Sequence, residues 1–413
     1  MRFELFPLFL GSIHLIKSLP VVDDALRQKR EKERNEAIYA QFESIFPALP
    51  PKNVPLQPGD YYSLRQIENF MYQLAETHAN TTVITVGRSE QNREILGVQL
   101  GIDETKPYVV IDAGIHAREW SAIHVGYYLI ERYSKLLESK DAMISRFLSH
   151  FNLVIVPVLN PDGYIYTRDE VTEPFKHRLW RKNRSTMRCF SRIRCCEGVD
   201  LNRNWDLAFT AKTDGVEDPC SDVYPGPKPF SEAETRTYSE WLRSLPKLEA
   251  YFTLHSHGQL WLYPYAYAKE TYPKSIERAV YVSEKVVEAI YRYNGTRYYH
   301  GSPADMLYTS PGSSMDWVQR ELNPKFAFTI EVRPLTKEYG FILEKSLLIP
   351  ASEEIFIGIN VVLEESIRFR QFPYQFTGTT QRPRPRVEML EQKDPVDPSD
   401  EKFDEAWMKW IDS

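Results

Sequence analysis

Apolar and polar positions alternate with two different periods along the middle of the chain. Apolar residues recur every three or four positions at 64–78, 120–137, 231–245 and 274–293, and this spacing predicts amphipathic helices. Between these stretches lie short, continuously apolar runs, four of which are 108–115, 153–159, 248–254 and 326–330. Such runs are typical of strands that are buried on both faces of a sheet. The pattern between residues 56 and 370 therefore predicts an α/β fold.

Three of the four apolar runs end directly before a side chain that can bind a metal or transfer a proton. His116 follows the first run, His255 follows the third, and Glu331 follows the fourth. In open α/β sheets, ligands bind just beyond the carboxyl ends of the strands. Random placement of nine histidines would rarely produce this arrangement. The pattern predicts one functional site at this edge of the sheet.

The composition narrows the class of protein. The 413 residues are 42% hydrophobic, which is enough to bury a sizeable core. The net charge is −6, so the chain lacks the basic surface expected of a nucleic-acid-binding protein. No window holds about 18 consecutive uncharged apolar residues, so we expect no membrane span. The sequence predicts a soluble globular protein with appendages at its ends.

Both ends of the chain differ from the middle. Residues 1–18 combine a positive charge, a mostly apolar stretch and a small residue, which is typical of a secretory signal peptide; a buried N-terminal strand is the alternative. Residues 19–55 form a short charged segment and a Pro-rich linker, and residues 371–413 form an acidic, Pro-containing tail. If the chain is secreted, Asn80, Asn183 and Asn294 are glycosylation acceptors.

The four cysteines, Cys189, Cys195, Cys196 and Cys220, lie in one region without paired CxxC spacings, so a zinc ribbon is not expected. In a secreted chain an even number predicts two disulfides, for which three pairings exist. A bond within the adjacent pair would strain the backbone. We favour Cys189–Cys195 together with Cys196–Cys220 as structural crosslinks.

His116 and Glu119 stand three residues apart in a turn that leaves a predicted strand. From such a turn both side chains can converge on one ion, and zinc binds neutral imidazole and carboxylate at about 2.0–2.2 Å. His255 would be the third ligand, and water would take the fourth position. The His-x-x-Glu spacing alone is a weak signal, because two ordinary polar residues often match it.

Five further motifs make the pattern specific. They are Arg178-Leu-Trp-Arg181-Lys-Asn-Arg184, Gly198-Val-Asp-Leu-Asn202-Arg203-Asn204-Trp205-Asp206, His255-Ser-His-Gly-Gln-Leu-Trp-Leu-Tyr263-Pro-Tyr265, Tyr308-Thr-Ser-Pro-Gly-Ser-Ser-Met-Asp316-Trp317 and Phe328-Thr-Ile-Glu331-Val-Arg333. With these motifs in this order, the chain resembles the zinc metallocarboxypeptidases of the carboxypeptidase A/B family, and most of all their secreted nematode members. The resemblance implies one catalytic domain at residues 56–370. It also implies a mixed, mainly parallel central sheet flanked by helices, with the active site at the carboxyl ends of the strands.

The resemblance implies one Zn²⁺ per chain, bound by His116, Glu119 and His255. Glu331 would activate the attacking water, and Arg181 would polarise the scissile carbonyl and stabilise the oxyanion. General chemistry agrees with these roles, because zinc lowers the pKa of bound water to about 7. A carboxylate beside that water can act as a general base, and a buried arginine offsets the negative charge of the transition state.

The resemblance also implies how substrate is held. Asn202, Arg203 and Tyr308 would bind the terminal carboxylate of the substrate, and Arg118 would contact substrate upstream of the cut. An arginine fork suits this task because it recognises a carboxylate in bidentate fashion. The partners would be C-termini of peptides or proteins, and the enzyme would be a secreted, extracellular monomer.

Specificity in this family depends largely on the position that Met315 occupies at the pocket floor. Methionine gives a soft apolar floor, and the matching pocket positions Leu262, Ala266 and Thr329 are uncharged. We therefore expect preference for apolar or aromatic C-terminal residues. The alternatives are a carboxypeptidase specific for basic or acidic C-terminal residues, or an inactive relative that binds zinc or peptide. A serine hydrolase is disfavoured because no G-x-S-x-G motif occurs.

Overall fold

The computed structural model describes residues 56–168, 177–191, 194–209, 217–335 and 340–371. The predicted signal segment 1–18, the segment 19–55 and the tail 371–413 lie outside these residues, apart from Gln371. The described elements, in chain order, are α1 (Leu64–Thr77), β1 (Thr81–Arg88), β2 (Glu94–Leu100), β3 (Tyr108–Ala113), α2 (Trp120–Glu138), α3 (Ala142–His150), β4 (Asn152–Val156), α4 (Pro161–Thr167), β5 (Arg188–Ser191), β6 (Arg194–Cys196), a 3₁₀ turn (Leu201–Arg203), α5 (Ala233–Ser244), β7 (Leu248–Ser256), β8 (Leu260–Leu262), α6 (Ile276–Asn294), β9 (Tyr299–Gly301), α7 (Pro303–Met306), α8 (Ser314–Glu321), β10 (Phe326–Val332) and α9 (Lys345–Gln371).

An eight-stranded sheet forms the centre of the described fold, with the strand order β1-β2-β4-β3-β7-β10-β8-β9. The pairs β4–β3, β3–β7, β7–β10 and β8–β9 are parallel, whereas β1–β2, β2–β4 and β10–β8 are antiparallel. The predicted α/β domain with a mixed, mainly parallel sheet flanked by helices is confirmed.

The central strands are buried on both faces, which explains their continuous apolar runs. Every residue of β3, β4 and β7 is buried. Helix α2 packs against β3 and β7, and α8 packs against β7 and β10. The core therefore surrounds the strands that end at the predicted site, and this burial holds their ends in fixed positions.

Strands β7 and β10 run farther than the apolar pattern predicts. Their parallel pairing continues through Glu331 opposite His255 and Val332 opposite Ser256, so His255 and Glu331 lie inside their strands instead of after them. Residues paired across neighbouring strands point to the same face of the sheet. The backbone register alone therefore brings the Glu331 and His255 side chains together.

All four predicted helices are present, with ends shifted by one or two residues. Helix α1 begins with a capping box, in which the Ser63 hydroxyl accepts from the Gln66 backbone N–H and the Gln66 side chain accepts from Ser63 N–H. Helix α6 ends at Gly295, whose φ of 80° is a left-handed conformation that glycine adopts without strain. A side-chain cap thus fixes the start of α1, and a backbone conformation that glycine favours fixes the end of α6.

By length and composition alone, the last described helix, α9, is apolar enough to cross a membrane. Within the fold, however, 61% of the most apolar 18-residue stretch of α9 is buried, and α9 packs against α2 and α6. Burial on this scale is typical of a core helix in a globular protein.

The small hairpin β5–β6 carries both disulfide bonds. Cys189–Cys195 joins its two strands, and Cys196–Cys220 links it to the segment that follows residue 216. This is the pairing favoured from the sequence, and no cysteine is free. The second bond anchors the segment 217–224. The same segment is also held next to Arg181, because the buried Lys182 donates to Pro219 O at 2.6 Å.

A buried ion cluster at the start of β7 gives a stability prediction. Glu249 is 2% exposed and pairs with Lys325 at 2.7 Å and with Arg370. Burial opposes the charge on Glu249, but its bonds to Arg370, Lys325 and Ser366 lower its pKa from 4.5 to about 2. The charged pairs therefore stabilise the fold above about pH 4.5, and this contribution is lost as the pH falls towards about 2.

Glu249→Gln is expected to lower the free energy of unfolding by about 2–3 kcal/mol at pH 7, because it leaves two cations without their carboxylate. The difference from the parent chain should shrink as the pH falls from about 4.5 to about 2. Urea unfolding at several pH values measures it. A difference that stays constant over this range would show that the charge of Glu249 does not stabilise the fold.

Candidate active site

Three side chains that can bind a metal converge at the carboxyl ends of β3 and β7. His116 Nδ1 lies 2.8 Å from Glu119 Oε1, and His255 Nδ1 lies 3.0 Å from Glu119 Oε2 and 3.1 Å from His116 Nδ1. All three are buried, and no comparable cluster of His, Cys, Asp or Glu occurs in the described part of the chain. Two imidazole nitrogens and a carboxylate facing one point are a donor set that zinc favours. The residues therefore fit a zinc ion.

The outer nitrogens of both imidazoles already have neighbours. Nε2 of His116 lies 3.0 Å from Asp200 Oδ1, and Nε2 of His255 lies 3.4 Å from Asn202 Nδ2. A carboxylate on the outer nitrogen fixes the tautomer and the ring orientation of a metal-binding histidine. Asp200 thus keeps Nδ1 of His116 directed at the site. Sequence reasoning gave Asp200 no role, although it stands two residues before Asn202 in a quoted motif.

Protonation in the cluster suits a bound cation. Burial raises the pKa of Glu119, but the two neighbouring imidazoles outweigh it and hold that pKa well below its usual range. Burial likewise opposes the charge on Asp200, whose pKa Arg181 and His116 nevertheless lower strongly. Burial and the Arg181 charge lower the pKa of His116. Burial lowers the pKa of His255, but Glu119 outweighs it and raises that pKa. The cluster therefore holds charged carboxylates and a neutral His116, and metal binding would release any proton that Glu119 favours on His255.

Glu331 lies beside His255, as the β7–β10 register requires. Burial raises its pKa to about 8, against the opposing effect of His255. A carboxyl group whose pKa lies near neutrality is able to accept and return a proton.

Arg181 reaches the same cluster from the segment before β5. Its Nε lies 2.9 Å and its Nη2 2.8 Å from Asp200 Oδ2, and its Nη1 lies 3.8 Å from Glu119 Oε1. Burial lowers the pKa of Arg181, but the two carboxylates raise it further, so the guanidinium remains charged. Its carbonyl accepts from Ala117 N–H at 3.1 Å, which ties this segment to the turn that starts at His116.

Asn160 connects three segments around the site. Its Nδ2 donates to Ile115 O at 3.2 Å and to Lys182 O at 3.1 Å, and its Oδ1 accepts from Gly163 N–H. The residue is fully buried and caps the N-terminus of α4, four residues after β4. Asn160 therefore has a structural role: it holds the chain before His116 against the chain after Arg181.

The predicted carboxylate-binding residues lie on two adjoining loops. Asn202 Oδ1 accepts from Ser314 N–H at 2.9 Å, and Arg203 Nη1 donates to Asn202 O at 2.9 Å. Gly312 has a φ of 75°, and a Cβ there would lie 2.2 Å from Arg203 O, so only glycine lets the two loops approach so closely. Tyr308, 37% exposed, is close enough to Arg181 to affect its pKa.

The residues predicted to line the specificity pocket, Met315, Leu262, Ala266 and Thr329, are uncharged. Met315, at the start of α8, is 1% exposed, and Thr329 Oγ1 lies 3.4 Å from its Sδ. Thr329 pairs with Leu262 across β10 and β8. The adjacent Asp316 carboxylate accepts from the Ala266 backbone N–H. The carboxylate that follows Met315 in the chain is therefore hydrogen-bonded to the backbone.

Arg118 lies two residues after His116 in the chain, but its side chain points away from the three side chains that can bind a metal. Its Nη1 lies 2.9 Å from Asp222 Oδ2 and 3.3 Å from Leu179 O. Its guanidinium carbon lies 4.2 Å from the centre of the Phe341 ring. The structure places Arg118 at the border of the site. Its partner there, Asp222, was given no role in the sequence analysis.

Asp200→Asn gives a second prediction. We expect a 10- to 100-fold loss of zinc affinity, because removing the carboxylate that orients a metal ligand typically costs about that much. Competition with a chromophoric chelator measures the zinc affinity. Glu249→Gln is the matched control, since it removes a buried, paired carboxylate at the opposite end of β7. If both variants bind zinc as the parent chain does, Asp200 does not position His116.

Known proteins resemble this chain over most of its length. The zinc carboxypeptidase family profile matches residues 67–358. Zinc carboxypeptidase A 1 of Anopheles gambiae is 36% identical over 315 residues, covering 76% of this chain and 69% of that protein. Carboxypeptidase B of Astacus astacus is 35% identical over 305 residues, covering 73% and 95%.

Two solved structures share the fold. Bovine thrombin-activatable fibrinolysis inhibitor, in complex with tick carboxypeptidase inhibitor, aligns with a TM-score of 0.66 at 30% identity, covering 75% of this chain and 98% of that one. Carboxypeptidase A from Helicoverpa armigera aligns with a TM-score of 0.68 at 24% identity, covering 83% and 82%. The chain belongs to the zinc carboxypeptidase family and is a metallocarboxypeptidase, a hydrolase.

Proposed function

We propose that the chain binds one zinc ion through His116, Glu119 and His255 and removes the C-terminal residue of peptides with apolar or aromatic ends. The observation that carries this proposal is the convergence of the three donor atoms beside Glu331. Zinc, when bound, supplies a Lewis acid and lowers the pKa of bound water. The remaining chemistry falls to residues of the chain.

Glu331 acts as the general base in this proposal and Arg181 stabilises developing charge. The Glu331 carboxylate takes a proton from the attacking water and later gives it to the leaving amine. The Arg181 guanidinium, held by Asp200, faces the scissile carbonyl and stabilises its negative charge in the transition state, an interaction whose loss typically costs about 10²–10³ in rate. Asp200 keeps this arginine oriented before substrate arrives.

Asn202, Arg203 and Tyr308 restrict the reaction to chain ends. A guanidinium and an amide on one loop, opposite an exposed phenol, are suited to hold a carboxylate. The close approach of the loops at Gly312 keeps the first two residues at a fixed distance from the metal ligands. An internal peptide bond offers no carboxylate there and is bound less well.

The pocket at Met315 supports an apolar preference. Its floor is buried, and Leu262 and Thr329 add no charge. A buried, uncharged pocket gains from an apolar side chain and pays the desolvation cost of a charged one without a partner. C-terminal Phe, Tyr or Leu therefore fits this site better than Lys or Asp.

Release of amino acids from peptides that differ only in their last residue tests this proposal. Zinc-loaded protein should release Phe, Tyr and Leu faster than Lys, Arg, Asp or Glu. Faster release of Lys or Arg would retain the mechanism and overturn the pocket assignment. Absence of any release from folded, zinc-loaded protein would favour the inactive, peptide-binding alternative.

We also propose that the protein is secreted and works as a monomer. Two disulfides support secretion, because such bonds persist mainly in oxidising compartments. The potential acceptor sites give a test: Asn80 is exposed in the turn before β1, whereas Asn183 is fully buried and donates to Glu232 and Glu234.

Expression in secreting eukaryotic cells should yield protein in the medium with glycan on Asn80 and none on Asn183. Glycosidase treatment followed by peptide mass spectrometry measures both sites, and light scattering measures the mass. Protein retained in the cytosol with four free thiols would contradict secretion.

A further inference from the structure

The Arg118 side chain is held in place from three directions. The Phe341 ring lies under its guanidinium at 4.2 Å, Leu179 O accepts from Nη1 at 3.3 Å, and Asp222 Oδ2 accepts from the same nitrogen at 2.9 Å. Its side chain is 16% exposed, and its backbone carbonyl accepts from Arg178 Nη1 at 2.6 Å. Arg118 therefore presents its charge in a fixed position.

Asp222 belongs to a different part of the chain and is far more exposed. It lies two residues after Cys220, whose disulfide to Cys196 anchors this segment. Its side chain is 62% exposed. Both anchors of the segment, the disulfide and the bond from Lys182 to Pro219 O, keep the Asp222 carboxylate at the border of the site. One carboxylate oxygen faces Arg118 while the group as a whole remains open to solvent and to a bound peptide.

We propose that Asp222 sets the charge preference of the site for substrate residues upstream of the cut: it neutralises Arg118 and directs the enzyme towards peptides with basic residues there and away from acidic ones. This inference rests on the proposed function, because it uses the assignment of Arg118 to the upstream side. It adds a specificity-determining residue from the Cys220 segment that no sequence motif indicated.

The electrostatic reason is direct. Without Asp222, a fixed and poorly exposed guanidinium would attract acidic side chains of the substrate. With Asp222 present, the pair carries no net charge, and an acidic substrate must compete with an existing ion pair for Arg118. A Lys or Arg of the substrate instead finds the exposed carboxylate of Asp222. Exposed charge pairs contribute little individually, so the preference is modest, and it decreases as salt screens the charges.

Binding measurements on a chain without its general base test this inference. Zinc-loaded Glu331→Gln protein, with and without Asp222→Asn, is titrated with three fluorescent peptides. The peptides share an apolar C-terminal residue and carry Asp, Ala or Lys at the second and third positions before the cut. Each Kd is expressed relative to that of the alanine peptide. Asp103→Asn is the matched control, because it removes one exposed acidic charge from the loop before β3, at the opposite end of that strand.

Asp222→Asn is expected to shift the ratio of Asp-peptide to Lys-peptide affinity by about two- to fivefold in favour of the acidic peptide at low salt. The shift should fade at high ionic strength, and Asp103→Asn should leave the ratio unchanged. An unchanged ratio in Asp222→Asn, an equal shift in both variants, or no binding of any peptide would overturn the inference. Turnover of the alanine peptide by the chain with Glu331 intact tests the proposed function separately.

Discussion

Glu331→Gln is expected to lower kcat by about 10²–10⁴-fold, the usual contribution of a positioned general acid–base group. Glutamine has nearly the same shape as glutamate and keeps the packing of β10, but it cannot accept a proton from water. Zinc affinity should stay close to that of the parent chain, because the three donor atoms belong to other residues. Steady-state kinetics, together with zinc titration, measures both quantities.

Glu234→Gln is the control for this prediction. Burial also raises the pKa of Glu234 to about 8, yet its neighbours are Asn183 and the backbone of Glu90. The control should turn over substrate at a rate near that of the parent chain. If Glu331→Gln retains full kcat, or if both variants lose activity to the same degree, Glu331 is not the base.

Met315→Asp is expected to reverse the terminal-residue preference. The aspartate would place a carboxylate on a pocket floor that is 1% exposed, where an apolar substrate leaves it without a partner. Leaving one buried charge unpaired costs about 3–5 kcal/mol, so the ratio of kcat/KM for Lys-terminated over Leu-terminated peptides should rise by about a hundredfold or more. Matched peptide pairs measure this ratio.

Met315→Leu provides the comparison, because it exchanges apolar side chains of similar volume and should retain the preference for apolar ends. A Met315→Asp variant that folds, binds zinc and still favours Leu over Lys would show that the specificity floor lies elsewhere. If the variant loses all turnover, the zinc titration shows whether it is folded and inactive or misfolded.

Apolar periodicity alone predicts the part of the site that strand ends carry, whereas the other site residues were assigned through the family resemblance. His116, His255 and Glu331 follow apolar runs, and any parallel sheet brings such ends to one edge. The register between β7 and β10, which puts Glu331 directly beside His255, depends on how two distant strands pair. Composition and periodicity do not contain that information, so the residues were predicted but their pairing was not.

Other features escaped prediction for similar reasons. Asp200 acts through His116 and Arg181, which lie 84 and 19 residues away in the chain, and Asp222 pairs with Arg118 across 104 residues. Nothing local marks an aspartate as the partner of a distant cation. Strands β8 and β9 have only three residues each, too few for a period to be recognised, and the core helix α9 lacks a strongly polar face.

Comparison of one peptide in two forms tests whether this zinc site cleaves at a free chain end. The peptide ends in Leu and is offered with a free C-terminal carboxylate or as its C-terminal amide. We expect release of a single leucine from the free acid, abolished by a zinc chelator and restored by added zinc, with little release from the amide. Equal cleavage of both forms, or release that survives chelation, would contradict it.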